Sequence, residues 1–378
     1  MKSFYSALSL LAFLLFSLVF FACKKNQDNQ SLGGGNQAAI LSNIGNAIIL
    51  PSYQRLNATV NRLDSAVLVF VASPDTASLH SVQNAFKDAY LGWQACSSFD
   101  FGPADQNYLS TSNVNTFPPT VNLINSNIAN NPSTNLNTLS NFNARGFPAF
   151  DYLLFGIGDN NDSILVKYTT DPLAANRKQY LGSLSTYLKA KVNATASAWQ
   201  AGGGNYIATF VSATGLDIGS SLGQLVNALD EDLEVLKNYK IALPSGVTPG
   251  QPTAGTAAPS EIEGYYSGMS LQLAVAQLTQ LQNIYLGKSA QGDGAGLDDY
   301  LTQLGDKDVT LNATIKNQFS IALSKLQALP EPLATTLATR PDDVRSAYTE
   351  LQKLLVLLKT DMPSDMGIAI TYGDNDGD

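Results

Sequence analysis

The chain has 378 residues, a formal net charge of −9 and only 14% charged residues. So acidic a balance excludes nucleic acid as a partner, because that needs a basic surface. His80 is the only histidine, which excludes every metal site built on two histidines, the zinc-peptidase helix motif included.

The first element is a targeting segment. Lys2 supplies a positive start, Leu8 to Phe21 is nearly all apolar, and polarity returns at Lys24, directly after Ala22 and Cys23. This is the layout of a secretory signal, and the run is too short for a comfortable membrane span. A cysteine after a small residue at the cut resembles a bacterial lipobox. The expectation is a signal peptide over 1–22, removed before Cys23, and acylation of Cys23. More than one acyl chain anchors stably, where a single chain is marginal. An ordinary signal peptide with a chance cysteine is the alternative. Cys96, the only other cysteine, is then left without a disulfide partner. Residues 23–36 are polar and carry three consecutive glycines, so they read as a flexible tether.

Helical spacing dominates the rest. Apolar groups fall at steps of three and four in Leu79, Val82, Phe86, Ala89, Tyr90 and Trp93. The same pattern runs through Ile218, Leu222, Leu225, Val226, Leu229, Leu233 and Leu236, through Met269, Leu273, Leu278, Leu281, Ile284 and Tyr285, and through Val344, Tyr348, Leu351, Leu354, Leu355 and Leu358. Segments 38–72, 176–200 and 312–328 also read as helices. No series of strands with period two is present. The fold class is all-α, as a pair of helical bundles with long loops between helices. The N-terminal bundle is expected over 37–205 and the C-terminal one over 206–378, divided beside the AGGGN stretch. Residues 97–118, 125–147, 243–260 and 287–296 read as loops, the first two with short helical pieces.

Three features could carry chemistry. In the stretch Arg145 to Gly156, Pro148 suits a first helical turn and Asp151 is placed in that turn, where the helix dipole favours a carboxylate. Gly156 would end the helix. Glu261 and Glu263, followed by Ser267, are read as opening a helix, either as dipole-complementing acids or as oxygen ligands for a hard cation. The ending, from Asp361 and Asp365 to Asp374, Asp376 and Asp378, has part of the pattern of a calcium loop without its last glutamate. A solvated acidic tail is the alternative. His80 reads as a surface or boundary residue. Cys96 has no nucleophile context, and no serine–histidine or cysteine–histidine pair is supported.

Several stretches resemble the imelysin family. They are Ile48 to Tyr53, Ala89 to Trp93 with Phe101 to Pro103, and the region around Gly146 with Tyr152 to Gly156. Gly215 to Gly223, Glu263 to Ser267, Gly296 to Tyr300 and Lys359 to Ser364 with the acidic ending follow. Together they span nearly the whole chain after Cys23. The family comprises extracytoplasmic helical proteins linked to iron uptake and first classed as metallopeptidases. The resemblance implies two bundles related by a pseudo-twofold, with the motif G-x-H-x-x-E at their junction and its histidine and glutamate as metal ligands. Here the motif positions are Gly146, Pro148 and Asp151. Proline offers no side-chain ligand, and aspartate is one methylene shorter than glutamate.

The resemblance therefore implies a ligand pocket at Gly146, Pro148, Asp151, Tyr152, Glu263 and Ser267, with no catalytic residue assigned. Any resident ion is expected to be a divalent cation held by the carboxylates of Asp151 and Glu263. The expected function is a non-catalytic binding or accessory lipoprotein for iron, metal or nutrient uptake. The alternative is a metallopeptidase, and a purely structural role stands as a third. The expected partners are a membrane through Cys23, a metal ion or small ligand, and envelope transport proteins. The expected location is the bacterial outer membrane, on the periplasmic side.

Overall fold

A computed structural model of the chain describes residues 34–247 and 255–371. Among them every regular element is a helix, and the β pairing is a single isolated bridge between Ser289 and Gly292. The all-α expectation agrees with this. Residues from Gly35 onward form one compact unit. The signal segment and Cys23 lie outside the described residues, as do Asp374, Asp376 and Asp378.

Helix α1 (Gly34–Asn43) starts before the expected end of the tether, so the last two of those glycines are already helical. It passes through a π-helical segment (Ile44–Ile49) into α2 (Leu50–Ala72). Then come α3 (Thr76–Gln94), α4 (Val121–Asn130), α5 (Gly146–Asp151), α6 (Asn161–Thr169), α7 (Ala174–Trp199) and α8 (Tyr206–Ser212). The second half holds α9 (Ser221–Glu234), α10 (Ser270–Tyr285), α11 (Leu297–Thr302), α12 (Asp306–Gln327), α13 (Leu333–Thr339), α14 (Pro341–Val356) and α15 (Met362–Met366).

Four π-helical segments occur among the described residues: Ile44–Ile49, Tyr152–Gly156, Val235–Ala242 and Leu357–Asp361. Pro51, Pro244 and Pro363 each follow one of them within two residues. Proline has no N–H for the carbonyl four residues back, so the α ladder cannot continue unbroken there. A widened turn is one way to absorb that break. Gly156 ends the remaining segment, as expected.

The core follows the apolar stripes. In the first half α2 packs against α3 and α7. In the second, α12 packs against α10 and α14. Contacts between α3 and α10 join the two groups. The whole stripe from Leu79 to Trp93 is buried. A capping box fixes the start of α3: Ser78 donates its N–H to Asp75 Oδ1 at 2.7 Å, and Asp75 N–H donates to Ser78 Oγ at 3.0 Å. One expectation needs correction. Ile218 is 57% exposed and precedes α9, so the buried stripe begins at Leu222. The segment 125–147 carries short helical pieces, the first of them the end of α4, where Ile124 and Ile128 bury one face despite the asparagines.

Arg145 ties the long loops together. Its Nη1 donates to the carbonyl of Leu136 at 2.7 Å, while Nε and Nη2 donate to the carbonyl and Oδ1 of Asn113 at 3.1 and 2.8 Å. Loops on both sides of α4 are thereby held against the start of α5.

Candidate functional site

Helix α5 begins at Gly146, whose φ of +70° only glycine adopts without strain. A Cβ there would lie 2.1 Å from the carbonyl oxygen of Val114, so the close approach also requires glycine. Pro148 falls in the first turn. Asp151 does not: it is the last residue of α5, and the chain goes on into the π segment. The dipole argument for Asp151 therefore fails, and another partner replaces it. Its Oδ2 accepts the N–H of Tyr266 at 2.9 Å, and its Oδ1 accepts the N–H of Ser267 at 3.0 Å. Asp151 caps a distant turn rather than its own helix.

That turn is the second feature. Glu261 and Glu263 do not open a helix: Pro259–Glu261 is one 3-10 turn, irregular backbone follows, and α10 starts only at Ser270. Gly264 and Gly268 take φ of +62° and +68° there, which breaks any helix between them. The backbone N–H groups this frees are what Asp151 binds. Burial pushes the Asp151 carboxyl up to about 6, against the pull of Ser267 and the two N–H donors, and nearby Glu263 raises it further.

Glu263 is 1% exposed and fully engaged. Its Oε1 accepts from Gln94 Nε2 at 3.0 Å and from Asn115 Nδ2 at 2.7 Å. Its Oε2 meets Lys240 Nζ at 2.7 Å. Lys240 also donates to Gln94 Oε1 at 2.7 Å, and Tyr90 donates its hydroxyl to Asn115 Oδ1 at 2.8 Å. The Tyr90 ring stacks on Phe147 of α5, 4.8 Å between centroids and 2° from parallel. Beside this lies Asp232, accepting from Ser97, Ser98 and Gln277 side chains at 3.1, 2.6 and 2.7 Å. Burial raises the Asp232 carboxyl, while those donors and the Lys240 charge hold it down.

Of the six expected pocket residues, the structure gathers Asp151, Tyr152, Glu263 and Ser267 around the turn before α10. The Tyr152 ring lies 5.3 Å from that of Tyr266, and its hydroxyl exchanges hydrogen bonds with Asn125 at 3.0 and 3.1 Å. Gly146 and Pro148 are buried at the far end of α5 and serve packing. Lys240, Gln94, Asn115 and Asp232 were not singled out from the sequence. Lys240 had a signal, because it continues the inward spacing Leu233, Leu236, Lys240. His80 is exposed, and Cys96 is buried with a thiol raised by desolvation.

A metal does not fit these residues. Pro148 has no side-chain ligand atom. Both Asp151 oxygens are directed at backbone N–H groups, and an ammonium already neutralises Glu263. Among the described residues no group of three or more histidine, cysteine, aspartate or glutamate side chains is placed to hold an ion. The arrangement can fix one chain geometry, with its carboxylates committed to N–H and ammonium donors. The more open spaces lie elsewhere. One of about 470 Å³ runs beside Tyr108, Tyr187 and Lys191. Another of about 420 Å³ lies beside Arg55 and Lys288.

The sequence pattern described as Imelysin matches residues 49–362. The chain is 24% identical over 299 residues to the iron-regulated protein A of Synechococcus elongatus, covering 77% of this chain and 76% of that protein. A crystal structure described as an iron-regulated protein A precursor from Parabacteroides distasonis superposes with a TM-score of 0.72 at 18% identity, covering 87% of this chain and 95% of the other. An imelysin-like protein from Psychrobacter arcticum superposes with a TM-score of 0.67, also at 18% identity, covering 89% and 97%. At such identity the two structures speak for the fold alone.

Proposed function

The chain belongs to the imelysin family, and on that premise we propose that it is a non-catalytic binding or accessory protein of the cell envelope, anchored through Cys23 and serving iron, metal or nutrient uptake. The observation that carries the non-catalytic reading is the engagement of the motif carboxylate Asp151 and of Glu263. Asp151 binds two backbone N–H groups, Pro148 donates nothing, and Glu263 is neutralised by Lys240. The uptake part rests on the name of the cyanobacterial relative, an iron-regulated protein. The anchor rests on the Ala22-Cys23 boundary and the apolar run before it.

Metal analysis and a protein-degradation assay on the purified chain test this. The expected result is no stoichiometric zinc or iron, and no turnover of a protein substrate above buffer. Stoichiometric metal lost on Asp151→Ala, or turnover abolished by that change, would instead support the metallopeptidase. Expression in a bacterial host with mass spectrometry of the membrane fraction tests the anchor. An acylated peptide beginning at Cys23 is expected, and a soluble product in both the native chain and Cys23→Ser would sink it.

A further inference from the structure

The space of about 420 Å³ beside Arg55 lies between the α1–α2 junction and the end of α10 with the loop that follows. Its polar lining is Ser52 and Arg55 from one side and Gln280, Asn283, Lys288 and Ser289 from the other. Two cations line it and no aspartate or glutamate does. In a chain of net charge −9 that is a local reversal of sign. Some other cations close on carboxylates, as Lys189 does on Asp64 at 2.6 Å and Lys316 on Asp298 at 2.6 Å.

A second, independent observation is Gln280. This side chain is 9% exposed, and its Nε2 has no hydrogen-bond partner. An amide donor withdrawn from water without an acceptor is destabilising. Gln280 lines the same space, so an acceptor that reaches its amide would satisfy it. The opposite rim is also fixed in advance. Asn43 Nδ2 donates to the carbonyls of Gly287 and Ala295 at 2.7 and 2.9 Å, closing the loop that carries Lys288. Gly287 takes φ of +63° to turn the chain there, and Lys288 N–H donates to the carbonyl of Asn283 at 2.8 Å. The loop that presents the cation is therefore shaped before any ligand arrives, which lowers the ordering cost of binding.

We propose that this cleft binds one small anion rich in carboxylate or phosphate oxygens, with Arg55 and Lys288 supplying charge and Gln280 a buried donor. Arginine binds such groups with a planar pair of N–H donors and lysine with a point charge. The hydroxyls of Ser52 and Ser289 and the amide of Asn283 set how many further oxygens can be met. The volume suits a small organic acid or inorganic phosphate and not a polymer. The inference is independent of the proposed uptake role, because it needs neither a metal nor the anchor.

Calorimetric titration of the whole protein at low salt, with citrate and separately with inorganic phosphate, tests it. One saturable site is expected. Arg55→Ala with Lys288→Ala should weaken it by roughly tenfold or more, and Lys288→Glu further. Gln280→Leu should weaken it several-fold while leaving Tm unchanged or raised. Tighter citrate than phosphate assigns a carboxylate ligand, and the reverse order a phosphate. Both cations are exposed, so thermal melts of their variants will show an intact fold. Loss of binding in Gln280→Leu alone, equal affinity in all variants, or no saturable binding of either anion would overturn the proposal.

Discussion

The Glu263 locus and the Arg55 cleft both lie where helices of the two halves meet, and they are completed differently. At Glu263 every charge has its counter-charge or donor: an ammonium and two amides within 3.0 Å, one amide being that of the asparagine the Tyr90 hydroxyl also binds. At the cleft two cations line one space without an acid, and a buried amide nitrogen has no acceptor. The first arrangement spends its polarity on itself and so fixes structure. The second is completed only by something from outside. Burial and charge alone do not mark a binding site; the separating criterion is whether the partners are already present.

The sharpest way to break this comparison is to unpair the closed locus. Lys240→Met should cost about 3–5 kcal/mol, because it leaves a buried carboxylate uncompensated. Adding Glu263→Gln should restore most of that, as measured by denaturant unfolding of the single and double variants. A small effect of Lys240→Met would mean the locus is open to water or ions after all. Next comes pH. The Asp151 carboxyl stands at about 6 in the folded chain, against roughly 3.9 when unfolded. The folded state therefore holds a proton that the unfolded state has released. The stability from this proton is complete below about pH 4 and is lost as pH rises to about 6, some 3 kcal/mol in all. Other raised carboxyls such as Asp100, at about 7, act in the same sense. The difference between native and Asp151→Ala pH–stability curves isolates the share of Asp151.

Gly146→Ala should cost about 2 kcal/mol or more, since it forces a left-handed φ on a residue with a Cβ. A thermal melt reads this, and an unchanged Tm would show that α5 can shift away from Val114. The smallest effect is expected at the cleft. Arg55→Ala and Lys288→Ala should each change stability by less than about 0.5 kcal/mol, because both are exposed cations outside the folding core. A larger loss would place them with the structural charges and remove the contrast.

The helices were legible because burial on one face imposes a period on the sequence, as in Leu79 to Trp93. The π segments were not, since a widened turn differs from an α turn by one residue in spacing. The prolines that follow three of them were the available clue. Asp151 was found through its motif position but misread, because its partners are backbone groups 115 and 116 positions away. Glu263 was visible as an acid, yet its partner Lys240 lies in a different element. No spacing rule connects residues that meet only through tertiary packing. The two glycines at 264 and 268 could have warned that the segment before Ser270 is not a helix.

Cys96 is buried beside Ala95, which lines the cleft. Its thiol is raised by burial and so is inert in the closed fold. If Cys23 is acylated as proposed, it is the one thiol left to react, and reaction requires the surrounding helices to part. Its modification rate by a maleimide is thus a clock for opening of this region, built into the chain without any label. An anion held by Arg55 would slow that clock in proportion to occupancy, which makes a single buried sulfur a readout of a neighbouring site it never touches.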